Sequence, residues 1–125
     1  MVKMLFFLKR SPEISPAEFH RYWSDHHGPL FSSSAAARRY VVRYEQNHAT
    51  SEGTDLNGLD FDGVSVMWFR SVDDLHALRA DPEYREVVVR DGEKFCDVTA
   101  TKVMMTFDEE TFAIAEGEIA ITPRD

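Results

Sequence analysis

At 125 residues the chain is long enough to bury the core of one domain and too short for two. Its 43% hydrophobic and 29% charged residues are ordinary for a globular protein, and a net charge of −8 provides no basic stripe for nucleic acid or an anionic membrane surface. The single cysteine, Cys96, forms no internal disulfide, which suits a reducing cytoplasm.

Residues 2–9 are a short apolar run closed by Lys9, Arg10, Ser11 and Pro12. The run is too short to span a membrane and has no small-residue cleavage site behind it, so it predicts a strand rather than a signal peptide. No other stretch resembles a membrane helix. Ser15, Pro16 and Glu18 then form a capping box with proline at the first helical position. Phe19, Tyr22, Trp23 and His26 or His27 follow at spacings of three and four, sharing one face of a helix over about 16–27. Gly28-Pro29 is read as its stop, with glycine in a left-handed turn. Phe31 to Ala37 reads as a small-residue connector.

Tyr40 to His48 (YVVRYEQNH) is a second strand, and 49–60 is a loop rich in glycine, asparagine and aspartate. Residues 61–70 are a third strand, with Val64, Val66 and Trp68 on one face and Ser65, Met67 and Phe69 on the other. Ser71 and Asp74 cap a helix through Val72, Leu75 and Leu78. Asp81-Pro82 interrupts and recaps it, with Tyr84, Val87, Val88 and Phe95 as the buried stripe of the second segment. Residues 98–107 are the last strand. The acidic tail over 108–125 holds either an extra strand or an arm onto a partner.

The order β-α-β-β-α-β is the split-βαβ, ferredoxin-like pattern of an α+β domain over 1–125, with its core in about 2–107. Two helices cover one face of such a sheet, yet these strands are apolar on both. Met4, Phe6 and Leu8 oppose Leu5 and Phe7, and Val66 and Trp68 oppose Met67 and Phe69. The second face therefore needs cover. Pairing with a second copy predicts a homodimer, and cover by the acidic tail is the alternative.

Phe19, Trp23, His27, Gly28, Pro29 and Leu30, read as F-x-x-x-W-x-x-x-H-G-P-L, resemble the signature of the EthD family in the dimeric α/β-barrel superfamily. The segments RYEQNH, FDGVSVMWF and ADPEYREVV support the match, which runs from residue 2 to about 107. The resemblance implies two sheets pairing into a dimeric barrel, with a small-molecule pocket in each subunit between helices and sheet. It also implies cofactor-free chemistry, in which relatives isomerise lactones, or cyclise, dehydrate or decarboxylate polyketide-like aromatics. Neighbouring families include cofactor-free monooxygenases.

His27 is the first candidate for chemistry. At a helix C-terminus the dipole would favour its imidazolium, suiting a general acid or a cation beside a developing enolate. Alternatively it only hydrogen-bonds the orphan carbonyls. His26 lies about 100° round the helix, and either histidine continues the aromatic face. Tyr44, Gln46 and His48 alternate with Arg43, Glu45 and Asn47. Either this is an edge strand with one wet face, or Tyr44 and His48 line the pocket. Phe6, Trp23, Trp68, Tyr84 and Phe95 are core residues that double as an aromatic wall for substrate. His20 is read toward solvent. The histidines show no H-x-x-x-H or H-E-x-x-H spacing, so no metal is expected, and there is no dinucleotide fingerprint or phosphate loop. The leading expectation is a cofactor-independent lyase or isomerase acting on an aromatic, lactone or polyketide-like molecule through His27, His26, Tyr44 and His48. A cofactor-free monooxygenase and a non-catalytic ligand-binding accessory protein are the alternatives.

Overall fold

The computed structural model describes residues 1–50 and 60–114. Strand β1 is Val2–Leu8, β2 is Val41–His48, β3 is Gly63–Phe69 and β4 is Lys102–Thr106. They form one antiparallel sheet in the order β2-β3-β1-β4, the ferredoxin-like arrangement expected from the chain order. Most of the 49–60 loop and the tail from 115 lie outside the described residues. Phe112 to Ile114 carry no strand. Among the described residues no helix is long and apolar enough to cross a membrane.

The first helical run departs most from expectation. Helix α1, Pro16–Tyr22, begins where Ser15 Oγ accepts from the Glu18 amide at 3.1 Å, as the cap signature requires. The run does not stop at Gly28-Pro29. A π-helical turn, Trp23–His27, leads into α2, Gly28–Ser33. Gly28 has φ −58° and ψ −53°, right-handed helix, and its N–H donates to the Trp23 carbonyl five residues back. The wider turn passes the chain into a new first turn, where the missing N–H of Pro29 costs nothing. Glycine leaves room here for a close approach. A Cβ on Gly28 would lie 3.0 Å from Gln46 Nε2, which itself bonds the Trp23 carbonyl at 2.8 Å.

The expected small-residue connector is also helical, because alanine is the best helix former and a serine can cap it. Ser34 accepts from the Ala37 amide and starts α3, Ala35–Tyr40. Across the sheet, Ser71 caps α4, Val72–Ala80, and Asp81 recaps α5, Pro82–Tyr84. A second π turn, Arg85–Val89, leads into α6, Arg90–Gly92. Tyr84 and Val88, four apart, turn inward and Phe95 is buried after them. Val87 is rotated outward and 43% exposed, so it leaves the expected stripe. The last strand is shorter than expected because Asp97 organises a turn through Thr99 and Ala100.

The sheet's two faces divide as the alternation requires. Val2, Met4, Leu8, Met67 and Phe69 are buried under the helices, while Leu5, Phe7, Val64, Val66 and Trp68 stand half-buried on the outer face. The helix-side core is in two parts. One is built around Met4, Phe31, Met67, Phe69, Leu78 and Tyr84, the other around Leu8, Phe19, Trp23, Phe95 and Cys96.

Candidate functional site

A cavity of ≈ 390 Å³ opens between the two parts of the core and is lined by members of both. It falls in the range of small-molecule sites, roughly 300–1,000 Å³. Met4, Phe6, Leu8, Tyr44, Ser65 and Met67 give its sheet floor, and Trp23, His27 and Phe31 one helical wall. Tyr84 and Val88 form the other wall, with Phe95 and Cys96 beyond them. Exposed Arg79, Arg85, Val89, Val98 and Val103 stand at its mouth. The helices do not reach over β4, which leaves that side open.

His27 is the imidazole of this cavity, and its partner is a carboxylate 64 residues along the chain. Nδ1 lies 2.9 Å from Asp91 Oδ2. Asp91 is 3% exposed and also accepts from the Tyr22 hydroxyl at 2.6 Å. His26 Nε2 at 3.5 Å and Lys94 Nζ at 3.7 Å complete its surroundings. Burial pushes the Asp91 carboxyl up, but the hydrogen bonds from Tyr22 and His27 and the neighbouring histidines outweigh it and hold the group below its ordinary value. An ionised carboxylate only accepts, so His27 Nδ1 carries the hydrogen and Nε2 keeps its lone pair. Among the described residues Nε2 has no partner.

The electrostatics of His27 are the reverse of the helix-end expectation. The backbone continues as helix, so no carbonyl terminus faces the ring. Burial lowers its pKa, Asp91 pulls it back in part, and His26 lowers it further. His27 is thus a neutral, oriented imidazole, suited to accept a proton.

The other sequence-derived candidates divide. Tyr44 and Tyr84 line the cavity, as do Phe6, Trp23 and Phe95. Burial raises both tyrosine hydroxyls, keeping them protonated. His26 is exposed beside Asp91, its ring 4.7 Å from that of Tyr22, and does not line the cavity. Nor does His48. The Tyr44 side of β2 turns toward the helices, but His48 sits at its far end with its ring 4.3 Å from Trp23. Its Nδ1 lies 2.7 Å from His20 Nδ1, and burial together with His20 lowers its pKa. Trp68 lies on the opposite face of the sheet, under Lys3 and Arg43, because its position alternates with inward Met67 and Phe69. Cys96 borders the cavity, but burial and the charges of Asp62 and Asp91 push its thiol up to about 12, far from a thiolate. Among the described residues no group of three or more His, Cys, Asp or Glu is placed to hold a metal.

Asp91, Tyr22 as its donor, and Gln46 are the polar residues that sequence reasoning did not single out as functional. Asp91 stands in a stretch of alternating charges, REVVVRDGEK, where nothing marks it as buried. The available hint was a histidine pair in need of a carboxylate.

The family profile described as EthD domain matches residues 11–99. The conidial pigment biosynthesis dehydratase EthD of Metarhizium robertsii is 28% identical over 112 residues, covering 81% of this chain and 78% of that protein. A decarboxylase, dmxR15, of a Cryptosporiopsis species is 25% identical over 111 residues, covering 81% and 75%. Among solved structures, an ethyl tert-butyl ether D (EthD) family protein of Bacillus halodurans aligns with TM-score 0.64 at 19% identity, over 87% of this chain and 99% of the other. A dimeric protein of unknown function with a ferredoxin-like fold from Bacteroides fragilis aligns with TM-score 0.62 at 11% identity, over 84% and 93%. The cofactor-independent oxygenase SnoaB of Streptomyces nogalater aligns with TM-score 0.59 at 13% identity, over 88% and 94%.

Proposed function

The chain belongs to the EthD domain family, and from that premise we propose that it is a cofactor-independent tailoring enzyme of small aromatic, polyketide-like molecules. The reaction we assign is dehydration, working in a cytoplasmic homodimer. The observation that carries this is the His27–Asp91 pair at the wall of an apolar cavity. Asp91 fixes the tautomer, burial keeps the ring neutral, and Nε2 is left as an oriented base. Relatives are named dehydratase and decarboxylase, and loss of water from a β-hydroxy ketone through an enolate needs a base and a site for negative charge on oxygen.

For a β-hydroxy ketone the sequence of events is as follows. His27 Nε2 takes the proton from the carbon next to the carbonyl, and the C–H electron pair becomes an enolate. The charge on oxygen is met by phenolic hydroxyls of the cavity. The enolate then collapses to a carbon–carbon double bond, the β C–O bond breaks, and the departing hydroxide takes back the proton from His27 as water. The enzyme ends as it began, and no redox partner enters. Asp91 stays ionised throughout and stabilises the transient imidazolium. Arg79 and Arg85 at the mouth have no carboxylate partner among the described residues, which favours substrates carrying an acidic substituent.

The test is product analysis by mass spectrometry on β-hydroxy aryl ketones of polyketide type, with wild type and a folded His27→Ala variant. Loss of water by wild type, reduced roughly 10²–10⁴-fold in the variant, is expected for a general base. Equal rates in both would end the assignment. Oxygen uptake with an electron-rich phenol would instead support the monooxygenase reading, and saturable binding without turnover the accessory-protein reading.

A further inference from the structure

The hydrogen-bond directions behind the cavity floor are fixed by one group that only accepts. The Trp23 carbonyl, widened out of the α ladder by the π turn, lies 2.8 Å from Gln46 Nε2. A carbonyl has no hydrogen to give, so the nitrogen end of the Gln46 amide must face it. The second amide hydrogen then points to Tyr44 Oη, 3.0 Å away. The Gln46 oxygen faces the other way and accepts from His48 Nε2–H at 3.0 Å. With Nε2 protonated, neutral His48 presents a bare Nδ1, matched by a hydrogen from His20 Nδ1 at 2.7 Å.

Every direction in this row is therefore set, and it ends at Tyr44. The tyrosine oxygen is occupied as an acceptor by Gln46, so its own hydrogen must be spent elsewhere. Among the described residues it meets no protein acceptor, and Tyr44 lines the cavity. We infer that Gln46 is a positioning residue that holds the Tyr44 hydroxyl as a donor toward the cavity, so that the ligand presents an acceptor oxygen there, a ketone that becomes an enolate or a phenolate. This rests on the small-molecule reading above and narrows it. It also gives His48 and His20 a place, as the outer end of the row that orients Gln46, away from the reacting atoms. Gly28 is part of the same device, since a side chain there would crowd the Gln46 amide.

The probe is 4-nitrophenolate in mildly alkaline buffer, with binding followed by its absorbance. Tyr44→Phe is expected to weaken binding roughly 10-fold or more, as for loss of a hydrogen bond to a charged group. Replacing Tyr44 by 3-fluorotyrosine makes the hydroxyl a stronger donor and a poorer acceptor with almost no change of shape. Tighter binding, by about two- to fivefold, is expected if the hydroxyl donates. Gln46→Glu offers a carboxylate that takes the Tyr44 hydrogen for itself, so affinity falls and the gain from fluorination disappears. Unchanged or weakened binding with 3-fluorotyrosine would overturn the inference, and that arm stands alone if Gln46→Glu fails to fold. Binding that is intact but indifferent to positions 44 and 46 would leave the His27 reading standing without this one. Absence of saturable binding to wild type would remove the acceptor-oxygen ligand class and the inference with it.

Discussion

His27 and Asp91 divide one task between the two nitrogens of a ring, and that division makes both residues testable by pH. His27 is held below its unfolded value of 6.5 chiefly by burial, so the acid limb of kcat/KM should fall below 6.5, where the base becomes protonated. Asp91→Asn should lower rate roughly 10²–10⁴-fold, since an amide donor facing Nδ1 moves the ring hydrogen to Nε2 and removes the base. It should also move the residual acid limb to lower pH, because Asp91 is what raises the imidazole. A limb unmoved by this change would disconnect the pair. Stability follows the same groups. His27 and His48 bind protons more weakly folded than unfolded, so between their folded values and 6.5 the unfolded state holds more protons. Stability present above 6.5 is lost as pH falls through that window. Asp91, held below 3.8, adds stability above 3.8 that is lost as pH falls through its folded value. Urea melts in steps from neutral to acid pH should show the histidine loss first. At this scale helical spacing offered His27, and strand alternation offered Tyr44 as one of two readings; both side chains line the cavity. Asp91 was not legible, because a contact across 64 residues leaves no local pattern, and the pKa of His27 was misread because burial is a tertiary quantity.

Among elements, β3 and the first helical run approach closely at Gly63. A Cβ on Gly63 would lie 2.4 Å from Trp23 Cζ3 and 2.9 Å from the Asn47 carbonyl. One of these atoms is backbone, and the other belongs to a fully buried ring, so neither yields cheaply. Gly63→Ala should cost about 1–3 kcal/mol, as overpacking does, and should weaken ligand binding because Trp23 is displaced along the cavity wall. Chemical denaturation and probe affinity measured together check both. A neutral substitution would mean that the indole is free to move. Which elements the sequence shows depends on how local their hydrogen bonds are. Caps at Ser15, Ser71 and Asp81 depend on hydrogen bonds three residues long and were visible in sequence. The continuation of helix past Gly28-Pro29 was not, because its π turn is completed by Gln46 from β2 reaching the Trp23 carbonyl. Local rules read glycine and proline as a stop, whereas here the chain continues as helix with a tertiary donor, Gln46, on the Trp23 carbonyl.

For the whole molecule, the face of the sheet away from the helices carries the argument for a second copy. Register places Glu45, Val66, Leu5 and Met104 in one row across β2, β3, β1 and β4, with Val64 and Phe7 in the next and Trp68 beyond. Leu5 sits at the centre of the apolar part, and Met104 is 51% exposed. Polar ends close the patch, with Lys102 beside Phe7 and with Lys3 and Arg43 over Trp68. A monomer would leave this continuous apolar strip in water, where each well-buried aliphatic side chain would be worth about 1.5–3 kcal/mol. Sheet-to-sheet pairing covers it and leaves the cavity, on the opposite side, untouched. Sedimentation at micromolar concentration should therefore give a particle of twice 14.4 kDa. Leu5→Lys places a charge at the centre of the row, between Val66 and Met104. The variant should sediment as a monomer and still bind the cavity probe, since Met4 and Phe6 keep their inward positions. A wild-type monomer, or a Leu5→Lys protein that remains dimeric, would show that something other than a second sheet covers this face.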